Sequence, residues 1–403
     1  MSHKLLHLLF ILIIALTITS TITFALRDKN PERQSADSSK TLDDYFTQSQ
    51  SLKKNTLTEQ ETHTVTLLAV GDISLSRNIA QTIKIKQDPL YPFRGIEPLL
   101  QSTDFNFGNL ETPFSKSDAF TPNNTLVFNA PKANVAGLKA YNFKVLNLAN
   151  NHAFDQGLSG VLTTRKILAD NNILFTGSGE SLDEAWMPAV YETNGIKIGF
   201  IGASYSSIND GGKTTNNYVA RIEDLDRLTA QVSFLKSQAD FIVVTMHAGT
   251  EYTATPNEAQ IKFAHAAVDA GADIVIGAHP HWVQEKELYC PISGSSPFKG
   301  EVRWDEHSQN SDAHPLHSDC KWIYYSLGNF IFDQSWSEQT KKGLALKITL
   351  SKTGTNSPTL SGAATLNDLQ PAGGKERPET NLDIIEEIPI YIKGNCCPII
   401  APK

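Results

Sequence analysis

Residues 65–72 read VTLLAVGD, an apolar run that ends in Gly71 and Asp72. Short apolar runs bounded by turn residues are typical of buried strands. Further runs of this kind alternate with helical patterns along the chain. The expected strands are 144–148, 197–201, 241–245 and 274–276, and the expected helices are 158–171, 222–237 and 257–270. This alternation predicts an α/β sandwich with much parallel sheet, followed by a β-rich C-terminal part.

Four of the predicted strands, and a possible fifth at 105–108, run directly into side chains that can bind a metal ion. These residues are Asp72, Glu111 after 105–108, Asn151 beside His152, His247, and His279 with His281. Taken singly, each has a structural interpretation as a turn, a helix cap or an ordinary histidine. In open α/β sheets, however, binding sites lie at the carboxyl ends of the strands. The repeated coincidence therefore predicts one shared site.

The predicted ligand set mixes oxygen and imidazole nitrogen and includes no thiolate. Such a set suits Mn, Fe or Zn better than a structural zinc centre. Two carboxylates, one amide and three imidazoles can support two divalent ions about 3.5–4 Å apart if one carboxylate bridges them. We therefore expect a pair of divalent metal ions as the cofactor.

The composition excludes several classes of protein. The chain has 403 residues, of which 40% are hydrophobic and 19% charged, and its formal net charge is −8. This balance is that of a folded protein and excludes coiled coil, collagen, wholesale disorder and a multi-pass membrane protein. The negative charge argues against nucleic acid as a partner.

The first 26 residues predict export. Residues 5–26 carry no formal charge, and as a helix of ~1.5 Å per residue they would cross a bilayer core of about 30 Å. The same stretch has the apolar core of a signal peptide, and residues 23–25 resemble a cleavage site. Both interpretations stay open: the chain is anchored to the cytoplasmic membrane facing outward, or it is periplasmic or secreted after cleavage.

Composition divides the remainder into three parts. Residues 27–63 are polar and predict a flexible linker. Residues 64–350 carry the α/β pattern, and residues 351–403 form a weakly patterned C-terminal extension. Cys290 and Cys320 bracket a polar loop, which an exported protein can close with a disulfide. The partners of Cys396 and Cys397 are left open.

Several motifs occur in the order found in one family. They are GDISLSR at 71–77, NLETP at 109–113, ANNH at 149–152, HAGTEY at 247–252, the segment 271–284 and the segment 325–333. The chain resembles the bacterial poly-γ-glutamate capsule synthesis proteins of the CapA type, whose PGA-cap domain belongs to the calcineurin-like metallophosphoesterases. The likeness covers about residues 65–350. It implies a four-layer α/β/β/α sandwich with a metal site at the strand ends.

The resemblance also implies roles for single residues. Asp72 and His281 would bind a first metal, Glu111 would bridge, and Asn151, His247 and His279 would bind a second metal. His152 would contact the phosphoryl group or protonate the leaving oxygen.

Two departures from the family pattern weaken the first metal position. Ser74 stands where phosphoesterases usually have a histidine, and the bridging carboxylate is Glu111 without the usual Gly-Asp setting. The resemblance therefore does not by itself imply a working dinuclear phosphatase.

Two charged residues near these motifs are weaker candidates for the functional site. Asp155 would orient His152, with a helix-capping role as the alternative. Arg77 would contact an anionic substrate, with a solvated position at a helix start as the alternative.

Together with the export predicted from the N-terminal segment, the resemblance implies a protein that acts in capsule or poly-γ-glutamate biosynthesis, through a metal-dependent hydrolase or transfer site. One alternative is a non-catalytic, metal-dependent component that binds the polymer. Another is an exported phosphodiesterase. The expected partners are an anionic polymer such as poly-γ-glutamate or a phosphate-containing envelope substrate, together with membrane-embedded components of capsule synthesis.

Overall fold

The computed structural model describes residues 62–116, 119–122, 125–205, 217–291, 320–353 and 380–401. The predicted signal peptide or anchor, nearly all of the predicted linker and part of the C-terminal extension lie outside these residues. Among the described helices, none combines the length and apolar character needed to cross a bilayer.

Strands and helices alternate through most of the described chain. The strands are β1 (Thr62–Ile73), β2 (Phe105–Leu110), β3 (Phe143–Asn147), β4 (Leu174–Thr176), β5 (Ala189–Thr193), β6 (Ile196–Ser204), β7 (Phe241–His247), β8 (Ile274–Ala278), β9 (Lys286–Tyr289), β10 (Lys321–Tyr324), β11 (Asn329–Ile331), β12 (Lys342–Thr353), β13 (Thr380–Lys393) and β14 (Cys397–Ile400). The α-helices are α1 (Arg77–Lys86), α2 (Glu97–Leu100), α3 (Val135–Ala140), α4 (Gly157–Asp170), α5 (Leu182–Ala185), α6 (Leu225–Leu235) and α7 (Glu258–Ala270). Short 3₁₀ helices span Tyr91–Ile96 and Lys132–Asn134.

The strands form two sheets. The first has the order β14-β13-β12-β1-β2-β3-β4, with β11 also paired to β1, and the second has the order β5-β6-β7-β8-β10-β9. Strands β1 to β4 run parallel to one another, as do β6, β7, β8 and β10. The outer strands of both sheets pair antiparallel. The parallel sheet predicted from the alternation is thus confirmed.

Alternating side chains of the strands define the layers. Leu68 of β1 packs in an outer core with helices α1 and α3, whereas its neighbour Leu67 packs in an inner core with Val243 of β7. Val244, next along β7, packs with Phe263 of α7 in a third core. Because successive side chains of a strand point to opposite faces, the sheets lie face to face with helices outside. The four-layer α/β/β/α sandwich is confirmed.

The described ends of the α/β region differ slightly from the predicted limits. Strand β1 begins at Thr62, and β12 continues to Thr353. Helix α6 begins at Leu225, three residues later than predicted, because the Asp224 side chain accepts a hydrogen bond from the Arg227 backbone and caps it. The described part of the C-terminal extension adds β13 and β14 to the first sheet.

Candidate metal centre

The predicted ligands converge at the carboxyl ends of strands from both sheets. Asp72 is the penultimate residue of β1, Glu111 directly follows β2, and Asn151 follows β3, all in the first sheet. His247 ends β7, and His279 and His281 follow β8, all in the second sheet. Each of these six side chains is at most 3% exposed. The two sheets therefore contribute equally to one buried polar cluster.

Glu111 lies at the centre of this cluster. It belongs to both described groups of carboxylates and imidazoles that are close enough to hold a metal ion, one with His247 and His279 and the other with Asp72 and His281. Its Oε1 lies 3.7 Å from His247 Nε2 and 3.9 Å from His281 Nε2. Neither carboxylate oxygen of Glu111 has a hydrogen-bond partner, although the residue is fully buried. An orphaned carboxylate of this kind fits a bound cation, which would supply the missing charge.

The ligand atoms around Glu111 are closely spaced. His247 Nε2 lies 2.9 Å from Asn151 Oδ1 and 3.1 Å from His279 Nδ1. On the other side, His281 Nδ1 lies 3.4 Å from Asp72 Oδ2. Amide oxygen and imidazole nitrogen thus surround one side of the carboxylate, and carboxylate oxygen and imidazole the other. This donor set matches the residue types that bind Mn, Fe and Zn.

Burial and mutual charge set the protonation of these groups. Burial and the neighbouring Asp72 carboxylate raise the pKa of Glu111 well above its usual range. Burial would also raise the pKa of Asp72, but hydrogen bonds with His247 and His281 outweigh it and hold that pKa well below its usual range. Burial lowers the pKa of His247 and His279. The neutral imidazole favoured at these two residues is the form that binds metals.

Two asparagines that the sequence reasoning missed hold the ligands in place. The Asn109 amide nitrogen donates to Asp72 Oδ1 at 2.8 Å and lies 2.9 Å from His247 Nδ1. Asn329 Oδ1 lies 2.9 Å from His281 Nδ1. The signal for Asn109 was its place two residues before Glu111, because residues two apart on a strand share a face.

The loop that carries two of the histidines has an unusual backbone. His279 has φ 104° and His281 has φ 57°, on either side of Pro280. Positive φ in residues other than glycine is uncommon and concentrates at functional sites. The Tyr252 backbone N–H donates to the Pro280 carbonyl at 2.9 Å and helps to hold this conformation.

His152 lies beside the ligands and faces Glu111. Its Nδ1 lies 2.7 Å from Asp155 Oδ2, and its Nε2 lies 3.7 Å from Glu111 Oε1. Helix α4 begins at Gly157, with Gln156 at the capping position. Asp155 therefore contacts His152 and does not cap the helix, so the capping alternative is wrong.

Arg77 and Ser74, also singled out in the sequence, belong to the segment that follows β1 and Asp72. Arg77 is 8% exposed and forms an ion pair with Asp333, so the solvated alternative is wrong; contact with a substrate stays a prediction. The Ser74 hydroxyl hydrogen-bonds to those of Ser76 and Thr112 at 3.1 and 2.9 Å.

The four cysteines form two bonds. Cys290 and Cys320 are disulfide-bonded directly beside the paired strands β9 and β10. Cys396 is bonded to its neighbour Cys397. The loop between Cys290 and Cys320 lies mostly outside the described residues.

Comparisons with known sequences agree on one family. The sequence model of the bacterial capsule synthesis protein PGA_cap matches residues 66–334. The PGA biosynthesis protein CapA of Bacillus subtilis (strain 168) is 32% identical over 289 residues, which cover 71% of this chain and 68% of the relative. The capsule biosynthesis protein CapA of Bacillus anthracis is 29% identical over 303 residues, covering 73% of this chain and 66% of the relative. Among solved structures, the calcineurin-like phosphoesterase YfkN of Bacillus subtilis aligns with a TM-score of 0.40 at 14% identity, covering 83% of this chain and 93% of that one. The chain belongs to the bacterial capsule synthesis protein PGA_cap family.

Proposed function

We propose that this protein is an exported, metal-dependent hydrolase or group transferase that acts in the biosynthesis of poly-γ-glutamate or a related envelope polymer. The family membership supports the biosynthetic context, since two relatives are named for PGA or capsule biosynthesis. The cluster of buried carboxylates and imidazoles supports the chemistry. The fold alone supports neither, because one fold hosts many activities.

The observation that carries the proposal is the orphaned carboxylate of Glu111, shared by two groups of potential ligands. Asp72 and His281 would hold one divalent ion with it, and Asn151, His247 and His279 the other. Bound there, a metal pair supplies Lewis-acid activation of a phosphoryl or carbonyl oxygen. Mn, Fe and Zn all suit this donor set.

His152, oriented by Asp155, would transfer a proton to the leaving group of the substrate. The Asp155 carboxylate accepts the hydrogen bond from His152 Nδ1 and so leaves Nε2 directed at the cluster. A proton held at Nε2 would be positioned for transfer to a leaving oxygen. Such general acid catalysis is typically worth ~10²–10⁴ in rate.

The test combines metal content with turnover. Purified protein is loaded with Mn, Fe or Zn and assayed against a bis-aryl phosphodiester and against poly-γ-glutamate, with the polymer length measured by gel filtration. We expect turnover of poly-γ-glutamate, alone or together with the phosphodiester, loss of both metal and turnover in His247→Ala, and loss of turnover with wild-type metal content in His152→Ala. Ser74→Ala is the matched control and should retain its metal. Metal content below about a tenth of an ion per folded wild-type chain would refute the proposal.

A non-catalytic, polymer-binding protein is the second candidate, and Ser74 is the observation that favours it. The hydroxyl of Ser74 bonds to Ser76 and Thr112, where phosphoesterases usually carry a further histidine. Under this candidate, metal-loaded protein binds poly-γ-glutamate without shortening it, and His152→Ala weakens the affinity. Turnover of the phosphodiester alone would instead favour an exported phosphodiesterase.

Export is tested separately. Cells of the source bacterium are made permeable at the outer envelope while the cytoplasmic membrane stays intact, and protease is added. We expect the protease to digest the protein. Mass spectrometry of the mature N-terminus then distinguishes cleavage after residue 25 from a retained anchor. A chain that resists the protease until the cytoplasmic membrane is broken would refute export. It would also refute a partnership with membrane-embedded synthesis components on the outer side of that membrane.

A further inference from the structure

The imidazole of His152 is one end of a stack of three planar groups. The ring of Phe128 lies parallel to the His152 imidazole, with a centroid separation of 3.7 Å and an angle of 6° between the planes. The guanidinium carbon of Arg77 lies 4.4 Å from the centroid of the same phenyl ring. Because the imidazole already covers one face of the ring, the guanidinium must cover the other. Phe128 is 2% exposed and is thus enclosed between a cation and the imidazole.

Both ends of this stack are tied to the protein. At one end, Arg77 forms its ion pair with Asp333, whose second oxygen accepts the backbone N–H of Asn78 at 3.2 Å. At the other end, Asp155 Oδ2 lies 2.7 Å from His152 Nδ1 and accepts the backbone N–H of Phe128 at 2.5 Å. One carboxylate oxygen therefore holds both the imidazole and the residue that stacks on it.

The hydrogen bond and the ring restrict different motions of His152. A single hydrogen bond at Nδ1 fixes one corner of the imidazole and leaves the ring free to tilt about that corner. A parallel phenyl ring at contact distance blocks this tilt, since the imidazole cannot leave its plane without losing the stacking contact. Together they keep Nε2 directed at Glu111 Oε1, 3.7 Å away.

We infer that Phe128 is a positioning residue for His152, and that the pair of Arg77 and Asp333 holds Phe128 in place. This inference rests on the proposed function, because it assigns a purpose to the orientation of His152. It also gives Arg77 a role other than substrate contact. A guanidinium over an aromatic face is a recognised stabilising contact.

The test replaces Phe128 and follows the imidazole directly. Phe128→Leu keeps an apolar side chain and removes the flat face, while Ile392→Ala loosens the same small core of Phe128, Phe332 and Ile392 without touching His152. Crystal structures of the metal-free variants should show His152 turned out of its plane, or spread over two orientations, in Phe128→Leu only. An unchanged imidazole in folded Phe128→Leu would overturn the inference. If that variant does not fold, Phe128→Met serves in its place.

Turnover gives the second readout. With the substrate found for the wild type, Phe128→Leu should lower kcat about 10–100-fold while KM and metal content stay near wild type. In a His152→Ala background the same substitution should have no further effect, because a residue that acts through another is not additive with it. An equal loss in that background would show that Phe128 acts elsewhere and would overturn the inference. If the wild type turns over no substrate, the proposed catalysis fails, and the crystal structures alone decide the positioning.

Discussion

At the scale of single residues, Glu111 combines two properties that oppose each other in the metal-free protein. It is fully buried and its oxygens lack partners, yet its pKa is raised on folding by burial and by the charge of Asp72. A carboxyl group whose pKa is raised in the folded state destabilises the fold at pH values above its ordinary pKa. At neutral pH, Glu111 is therefore a cost to the metal-free protein that a cation would remove.

This conflict predicts opposite effects of Glu111→Gln with and without metal. In chelator the variant should be more stable than the wild type, by about 1–3 kcal/mol in the free energy of unfolding, because glutamine is neutral and needs neither to bury a charge nor to take up a proton. With added Mn or Zn, only the wild type should gain stability. Urea unfolding in both conditions measures this, with the exposed Glu285→Gln as control. A variant less stable than wild type in chelator would contradict the prediction.

The sequence predicted the ligand-type residues but not what surrounds them. Asp72, Glu111 and the three histidines were visible because polar ligands directly follow apolar runs. Phe128 gave no signal, since a phenylalanine in a loop looks like any other apolar residue. Its contact with His152 depends on how a loop of the first sheet folds back over the site, which local pattern does not encode.

At the scale of elements, a second buried polar cluster joins α7 to the edge of the second sheet. Glu287 of β9 is 4% exposed and lies 3.0 Å from His265 Nε2 of α7. It also accepts a hydrogen bond from the Tyr325 hydroxyl at 2.5 Å. Burial would raise the pKa of Glu287, but the hydrogen bonds from His265 and Tyr325 outweigh it and lower the pKa.

The lowered pKa fixes the sign of a pH dependence. A carboxylate of this kind stabilises the fold above its ordinary pKa, 4.5 for glutamate, and loses that contribution as the pH falls through its lower folded value. Glu287→Gln should therefore lower Tm at pH 7, and the difference from wild type should shrink below pH 4.5. Thermal unfolding of both proteins at a series of pH values from 7 to below 4.5 tests this pH dependence. A difference that grew towards acid would contradict the assignment.

A disulfide lies beside this cluster and also fixes the edge of the second sheet. Cys290 and Cys320 are 30 positions apart in the chain and flank the paired strands β9 and β10. Peptide mass spectrometry of unreduced, exported protein should find them linked, and Cys290→Ser with Cys320→Ser should lower stability by about 2–4 kcal/mol. Two free thiols in protein recovered from outside the cytoplasmic membrane would contradict this.

Neighbouring strands were harder to predict than the strands themselves. The apolar runs of β1, β3, β7 and β8 were visible in the sequence, but each is buried on both faces, so its pattern does not reveal which strands flank it. That β1 to β4 and β6 to β8 belong to different sheets came only from the structure. The resemblance to the CapA-type proteins, rather than periodicity, predicted the four layers.

At the scale of the whole molecule, the site depends on how the two sheets pack. Three ligands come from each sheet, so the distances across Glu111 are set by the inner core between them. Strand β12 belongs to that core through Leu346 and Ile348 and lies beside β1, which carries Asp72. The C-terminal strands, in turn, cover β12.

The last prediction follows from that order of strands. The family match ends at residue 334, yet β13 pairs with β12 from Lys342 to Lys352 and buries Ile390 and Ile392 at 1% and 0% exposure. Losing a buried isoleucine side chain costs about 2–5 kcal/mol, so losing both, together with the edge pairing, approaches the ~5–15 kcal/mol that stabilises a typical domain. A chain that ends at Thr353 should therefore be insoluble or unfold without cooperativity, and should retain no metal, whereas a chain that ends at Ala401 should match the full length. Soluble fraction, Tm and metal content measured on both chains test this. A soluble chain ending at Thr353 with native Tm would mean that β12 holds β1, and with it Asp72, in place without its outer neighbour.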